Sequence, residues 1–367
     1  RTRGTGQAER LDFVDENRSV AHRASYTTCT RRPGPGWLPD WVVSAASIEF
    51  DQAEEVAYAT NASLRFMDVP ILAWPYLSFP ISDRRKSGLL PPTLNIDNIS
   101  GLELTLPYYL NLSPQRDATL YPTLMSRRGI DLGGEYRYLE HTYTGQLRGN
   151  YMPSDRLRDA DRWSYSIQHS QSLATPDALG LGNVGLRLNL NRVSDDNYWR
   201  DFPRAMTPLT TRLLPSDMVL SWGRGPWSLT AGSYRWQTLQ DIDAPIVAPF
   251  DRVPSIAARF AQTDQTLAGG RGWDWSLLTE YTRFRSDRLQ TGADLNGSRA
   301  LAVGAISRTW ATPAAYVKPR LQLHATQYQT DVAMADGRTS ASRVLPTFSI
   351  DSGVFLERDT HFFGRDL

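Results

Sequence analysis

From Gly101 to Leu112 every even position is apolar: Leu102, Leu104, Leu106, Tyr108, Leu110 and Leu112. The odd positions hold Glu103, Thr105, Pro107, Tyr109 and Asn111. Successive side chains of a β-strand leave opposite faces, so this run has one apolar and one largely polar face. About ten residues in this pattern is also the length at which a tilted strand crosses a bilayer. The run therefore predicts a strand of an outer-membrane β-barrel.

The pattern recurs. Ile130, Leu132, Tyr136 and Tyr138 alternate with Asp131, Gly133, Glu135 and Arg137. Val184, Leu186, Leu188 and Leu190 alternate with Gly185, Arg187, Asn189 and Asn191, and similar runs include Tyr143–Tyr151, Trp163–Gln168, Trp273–Thr282 and Val317–His324. Roughly fourteen such runs fit between 89 and 358 at antiparallel-hairpin spacing. The links 192–211 and 240–253 read as loops, and no helix longer than a turn or two is needed. A soluble β-sandwich also alternates. Its strands are typically about five or six residues, shorter than these runs. Charges recur on the polar face of run after run, which suits a hydrated lumen.

Composition excludes little. Lys+Arg 40 against Asp+Glu 39 implies no strongly charged partner, and no nucleic acid is expected. The mean hydropathy of −0.42 looks soluble, but half of each barrel strand faces water. No run of 18 apolar residues offers a membrane helix. The polar start, Arg1-Thr-Arg-Gly-Thr-Gly, is no signal peptide, and an exported protein would have lost one. The single cysteine, Cys29, is either a buried thiol or half of a bridge to a partner outside this chain.

Residues 1–80 differ from the rest. Strand-like pieces (Trp41–Ile48, Ala62–Phe66) are separated by turn signals such as Arg32-Pro-Gly-Pro-Gly36. Prolines 70, 75 and 80 exclude a helix interior or a central strand, so 69–80 reads as an extended connector. Residues 81–88, with Asp83-Arg84-Arg85-Lys86 and Ser87-Gly88, read as a hinge. Catalysis finds no support. The five histidines lack metal-ligand spacing, and there is no nucleophile elbow, zinc-protease motif or P-loop. Gly269-Gly-Arg-Gly272 reads as turn glycines. No cofactor and no metal is expected.

Ten segments stand in order along the chain: Ala24-Ser-Tyr-Thr-Thr-Cys29, Asn61-Ala-Ser-Leu-Arg-Phe66, Val69-Pro-Ile-Leu-Ala-Trp-Pro-Tyr-Leu77, Asp83-Arg-Arg-Lys-Ser-Gly-Leu-Leu90, Leu106-Pro-Tyr-Tyr-Leu-Asn-Leu112, Asp117-Ala-Thr-Leu-Tyr-Pro122, Arg127-Arg-Gly129, Glu135-Tyr-Arg-Tyr-Leu139, Tyr151-Met-Pro-Ser-Asp155 and Val354-Phe-Leu-Glu-Arg358. Together they resemble the LptD (OstA/Imp) family of LPS-assembly proteins, outer-membrane translocons for lipopolysaccharide. The resemblance implies an all-β chain. Residues 1–80 would be the C-terminal part of a periplasmic β-jelly roll, and 89–367 the N-terminal half of an outer-membrane barrel. The start of the jelly roll and the second barrel half, with its cysteine pair, would be missing.

The resemblance further implies lipopolysaccharide as cargo, the lipoprotein LptE as plug, a periplasmic LptA bridge and the barrel-assembly machinery during folding. It places Ile48, Phe50, Leu64 and Phe66 on an apolar lipid track, although ordinary core explains them equally well. Glu103, Asp131, Glu135, Arg137, Arg148 and Arg187 would line the lumen, specifically or merely as hydrated residues. Pro92 and Pro107 match the prolines of the first two barrel strands, where a seam opens as a lateral gate; simple strand ends are the alternative. Cys29 would bridge to the missing C-terminal part. Arg84, Arg85 and Lys86 would meet lipid phosphates or form a solvated cluster. The competing reading is a diffusion porin or other barrel channel.

Overall fold

The computed structural model describes residues 5–27, 29, 39–81, 85–90, 92–174, 182–202, 212–267, 269–286, 296–356, 361–362 and 365–366. The described chain is nearly all strand, as expected, with one four-residue helix. It divides into two compact units, Arg1–Tyr136 and Arg137–Leu367.

The first unit opens with a six-stranded antiparallel sheet. Its strands are β1 (Thr5–Gln7), β2 (Arg10–Phe13), β3 (Arg18–Thr27), β4 (Trp41–Asp51), β5 (Val56–Phe66) and β6 (Val69–Pro80). The order is β1-β3-β4-β5-β6, with β2 also on β3. The expected connector at 69–80 is therefore a strand. It lies at the sheet edge, where the missing proline N–H groups cost least.

A crease crosses this sheet. Arg23, Ala46, Asn61 and Pro75 lie in line, and ladder pairing lapses at each. Arg23 and Asn61 have φ of 46° and 47°. Each strand spends one residue there, so its inward side chains are spaced by three across the line: Ala21 to Ala24, Ala45 to Ile48, Ala59 to Ala62, Trp74 to Leu77. The phase shift is common to all four strands, so one face stays apolar on both sides. Ala21, Ala24, Val43, Ala45, Ile48, Ala57, Ala59, Ala62 and Leu64 form that buried face, flanked by Tyr26, Trp41, Phe50, Trp74, Leu77 and Phe79.

The same unit continues through β7 (Gly88–Leu89), β8 (Thr93–Asp97), β9 (Gly101–Thr105), β10 (Tyr108–Ser113), β11 (Arg116–Met125) and β12 (Gly129–Leu139), the last ending in the second unit. Strands β9 and β10 both pair with β11, so they are one strand interrupted at Leu106-Pro107. Strands β7 and β8 pair with β10 and β9, making a second strand interrupted at 90–92.

The second unit is an antiparallel meander: β13 (Tyr143–Asp155), β14 (Ala160–Ala174), β15 (Asn183–Val193), α1 (Tyr198–Asp201), β16 (Leu213–Arg224), β17 (Trp227–Thr238), β18 (Asp251–Leu267), β19 (Gly270–Arg285), β20 (Gly297–Arg308), β21 (Trp310–Ala311), β22 (Ala315–Thr330) and β23 (Ser340–Val354). A two-strand ribbon, β24 (His361–Phe362) with β25 (Arg365–Asp366), follows. Strand β21 continues β20 past Thr309, both pairing with β22. With the three interruptions joined, the seventeen strands from β7 to β23 make fourteen.

Links at one end of the meander are 175–182, 225–226, 268–269 and 312–314. Those at the other are the turn 156–159 and the longer 194–212, 239–250, 286–296 and 331–339. Links that are mostly short on one side (two or three residues at 225–226, 268–269 and 312–314) and mostly longer on the other (nine or more at four of five) follow the pattern of outer-membrane barrels, whose short side is periplasmic. Aromatic side chains mark both ends of the apolar face. Trp222, Trp227, Trp273 and Trp310 lie near the short links, and Tyr151, Trp163, Tyr165 and Tyr281 toward the loops. Such belts sit at headgroup level.

Candidate functional site

Three surfaces carry functional potential. The first is the apolar face of the creased sheet. Ile48 and Leu64 belong to its buried cluster, Phe50 packs half-buried against it, and Phe66 lies opposite Trp41. Six of the nine buried residues are alanines, so the layer over the backbone is thin and its bulk comes from the flanking aromatics. Cys29 is half-buried, its N–H donating to Thr27 Oγ1 at 3.1 Å.

The second is the break where Pro92 and Pro107 meet. Pro92 precedes β8 and Pro107 precedes β10, in facing gaps of the same hairpin. Leu90 N–H donates to Pro107 O at 2.9 Å. N–H and C=O of one strand residue point to the same side, so the donor that Pro107 lacks is missing toward Leu90. The alternation survives the break, with Thr105 and Tyr109 on the polar face and Leu104 and Tyr108 on the other.

Nearby, of the expected phosphate-contacting residues, Arg85 is held by protein. Arg85 donates to Tyr109 Oη (2.8 Å), Pro114 O (3.0 Å) and Asp117. The Tyr109 bond and the Asp117 charge raise its pKa, with partial burial opposing. Lys86 lies 5.9 Å from the Tyr58 ring centroid. Arg84 falls outside the described residues.

The third is the polar strand face. Glu103 accepts from Asn95 Nδ2 at 2.9 Å, beside a Thr105–Thr123 hydroxyl pair at 2.9 Å. Asp131, Glu135 and Arg137 share one face of β12 by parity. Arg148 lies opposite Ser166, which bonds Asn191 at 2.7 Å, and Arg187 lies opposite Ser170. Among the described residues no cluster of His, Cys, Asp or Glu could hold a metal ion.

Sequence reasoning missed a buried ionic cluster on this face. Arg162, 2% exposed, donates to Asp155 (3.1 Å) and Asp201 (3.0 Å), both fully or nearly buried. Asp195 Oδ2 lies 2.6 Å from its Nε but off the N–H direction, so that contact is charge–charge. Arg158 donates to both Asp201 oxygens at 2.9 and 3.1 Å. Arg162 also stacks 5.5 Å from Tyr198 and 5.1 Å from Phe202. Tyr198 Oη donates to Ser164 Oγ at 3.0 Å, which lays 194–202 against the polar face of β14. Tyr198, Val193, Leu214 and Leu239 add a small apolar core, and Arg200 joins Asp241 of the next long link at 2.5 Å.

Burial alone would raise the Asp201 pKa; hydrogen bonds from Arg158 and Arg162 outweigh it and hold the group below the usual carboxylate range. Asp241 is lowered by the Asp243 N–H and by Arg200. A lowered folded pKa stabilises above the unfolded value and is lost as pH falls through the folded one. The 194–202 segment is therefore expected to stay docked from neutral to about pH 4 and to release below it. A nitroxide at exposed Asp196 (Asp196→Cys with Cys29→Ser) reports this by its mobility. Release between pH 7 and pH 5 would contradict it.

Comparison with known proteins matches this chain to one family. A family model described as "LPS transport system D" (LptD) matches residues 160–367, and a second, "LptD protein", matches 57–206. LPS-assembly protein LptD of Polaromonas sp. is 52% identical over 99% of this chain and 44% of its own length. That of Albidiferax ferrireducens is 51% identical over 98% and 45%, and that of Acidovorax sp. 50% over 100% and 44%. The chain thus spans less than half the length of the curated relatives it matches. A match covering more than half the chain, with relatives near 50% identity along all of it, makes this chain a member of the LptD family.

Proposed function

We propose that this chain is part of an outer-membrane translocon of Gram-negative bacteria that inserts lipopolysaccharide into the outer leaflet. Acyl chains need a dry track, sugars need a wet one, and the lipid must leave sideways. Residues 1–80 form the end of a periplasmic jelly roll that provides the dry track, with Ile48, Phe50, Leu64 and Phe66 on it. Residues 81–88 are the hinge, and 89–367 are barrel strands whose polar face carries Glu103, Asp131, Glu135, Arg137, Arg148 and Arg187. The Pro92–Pro107 break is the lateral gate. Cys29 ties the jelly roll to the C-terminal part of the full-length protein, and Lys86 remains free for lipid phosphate. LptE as plug, LptA as periplasmic bridge and the barrel-assembly machinery are the partners. No covalent chemistry is involved.

The observation that carries this reading is the single apolar face kept in phase across the crease of four strands. A diffusion porin has no use for such a face. The test is photocrosslinking in cells on the full-length protein, with a photoreactive residue at Phe66 or at Leu94 near the gate. Lipopolysaccharide adducts are expected at both. Adducts at neither site in a properly assembled protein would overturn the reading and leave the porin.

A further inference from the structure

Arg308 lies on the apolar face of the meander, as Arg192, Arg224, Arg235 and Arg283 also do by parity. Arg308 pairs across the ladder with Trp273. The next row on that face is Trp275, Ile306, Leu321 and Phe348, and Leu321 and Phe348 are exposed. The Arg308 guanidinium lies 5.3 Å from the Trp273 ring centroid and 5.0 Å from that of Trp310. It donates to Gly269 O. Its Nε is buried without a hydrogen-bond partner, as is Trp273 Nε1. Neighbouring cations have carboxylates: Arg299 has Glu280, Arg283 has Asp331, and Lys318 has Asp274. Among the described residues no carboxylate pairs with Arg308.

The glycines after β18 make room for it. A Cβ at Gly269 would lie 2.8 Å from Nη1, and one at Gly270 3.2 Å from Nη2; their φ angles are +87° and +111°. The turn glycines thus cradle an arginine. All of this sits at the short-link end, beside 268–269 and 312–314, where the headgroups of the periplasmic leaflet lie if the apolar face is lipid-facing. An unneutralised cation beside lipid is costly. The guanidinium fork matches the two free oxygens of a phosphodiester, and flanking tryptophans are at home among headgroups.

We propose that Arg308, held between Trp273 and Trp310, binds the phosphodiester of a glycerophospholipid of the periplasmic leaflet. This site is separate from the cargo route, on the opposite strand face, and rests on the membrane-barrel reading. The test is native mass spectrometry of the full-length protein extracted with its native lipids. Wild type is expected to retain a phospholipid that Arg308→Gln loses, while Arg320→Gln on the polar face keeps it. Equal retention in Arg308→Gln would overturn the proposal. Should that variant fail to assemble, Trp310→Ala, altering a half-exposed ring, is expected to lower retention, and unchanged retention would count equally against the site. Inorganic phosphate in excess should leave the lipid in place; displacement would assign the site to a free anion instead. A nitroxide at Phe348→Cys separates the two levels. Collision with dissolved oxygen supports the lipid-facing reading, whereas collision with a water-soluble relaxant brings that reading down.

Discussion

Arg162→Ala is expected to destabilise the meander by about 3–5 kcal/mol, the usual result of removing one partner from a buried ionic group. The reason lies in what is left behind. Asp155 and Asp201 would keep their charges in a site with almost no solvent, and Tyr198 and Phe202 would lose the cation they stack on. Arg158, about a third exposed, would remain on Asp201. Urea unfolding of the protein in lipid should show the loss as a lower midpoint. Arg158→Ala removes a more solvated pair and should cost about 1 kcal/mol or less. Adding Asp155→Asn and Asp201→Asn to Arg162→Ala should recover part of the stability, because the stranded charges are gone. A midpoint in Arg162→Ala within error of wild type would overturn this account.

Pro92→Ala combined with Pro107→Ala is expected to tighten the proposed gate and reduce lipopolysaccharide at the cell surface. Alanine at 107 restores a donor aimed at Leu90, whose own N–H already bonds Pro107 O. A net hydrogen bond contributes about 1 kcal/mol, so the donor restored at 107 alone should shift opening about 5-fold. Surface lipopolysaccharide and the antibiotic barrier of cells carrying the double variant measure the outcome. Unchanged values of both would mean that the prolines only end strand segments.

The legibility of these features in the sequence followed how local their causes were. From 89 onward, strands could be read because one apolar face forces a period of two, and the interrupted runs still count to fourteen once joined. The crease was not read, because a left-handed residue breaks that period at Arg23 and Asn61. Its trace was present in spacings such as Ala57, Ala59, Ala62, Leu64. Strand β6 was missed because three prolines masked an edge position that tolerates them. The Arg162 cluster draws its acids from positions up to 39 residues away, beyond any local pattern. Arg308 did leave a sign: it occupies a position where Ala300, Ala302 and Ile306 set an apolar parity. Which strand face Glu103, Asp131, Glu135, Arg137, Arg148 and Arg187 share was legible because parity alone decides it. The protein partners of Arg85 were not legible, since nothing local announces Tyr109 and Asp117.

The crease has a bearing on protein engineering. The bend is written in backbone torsions at a line of residues that contribute little to the buried layer, whereas the depth of that layer is written in alanines elsewhere. The two properties are separable. If this face is the lipid track proposed above, a designer could exchange Ala45, Ala59 or Ala62 for larger apolar groups to fit cargo of another girth, leaving curvature to Arg23 and Asn61. Homologues handling lipids with different chain numbers would have the same freedom, diverging at the floor while keeping the fold line.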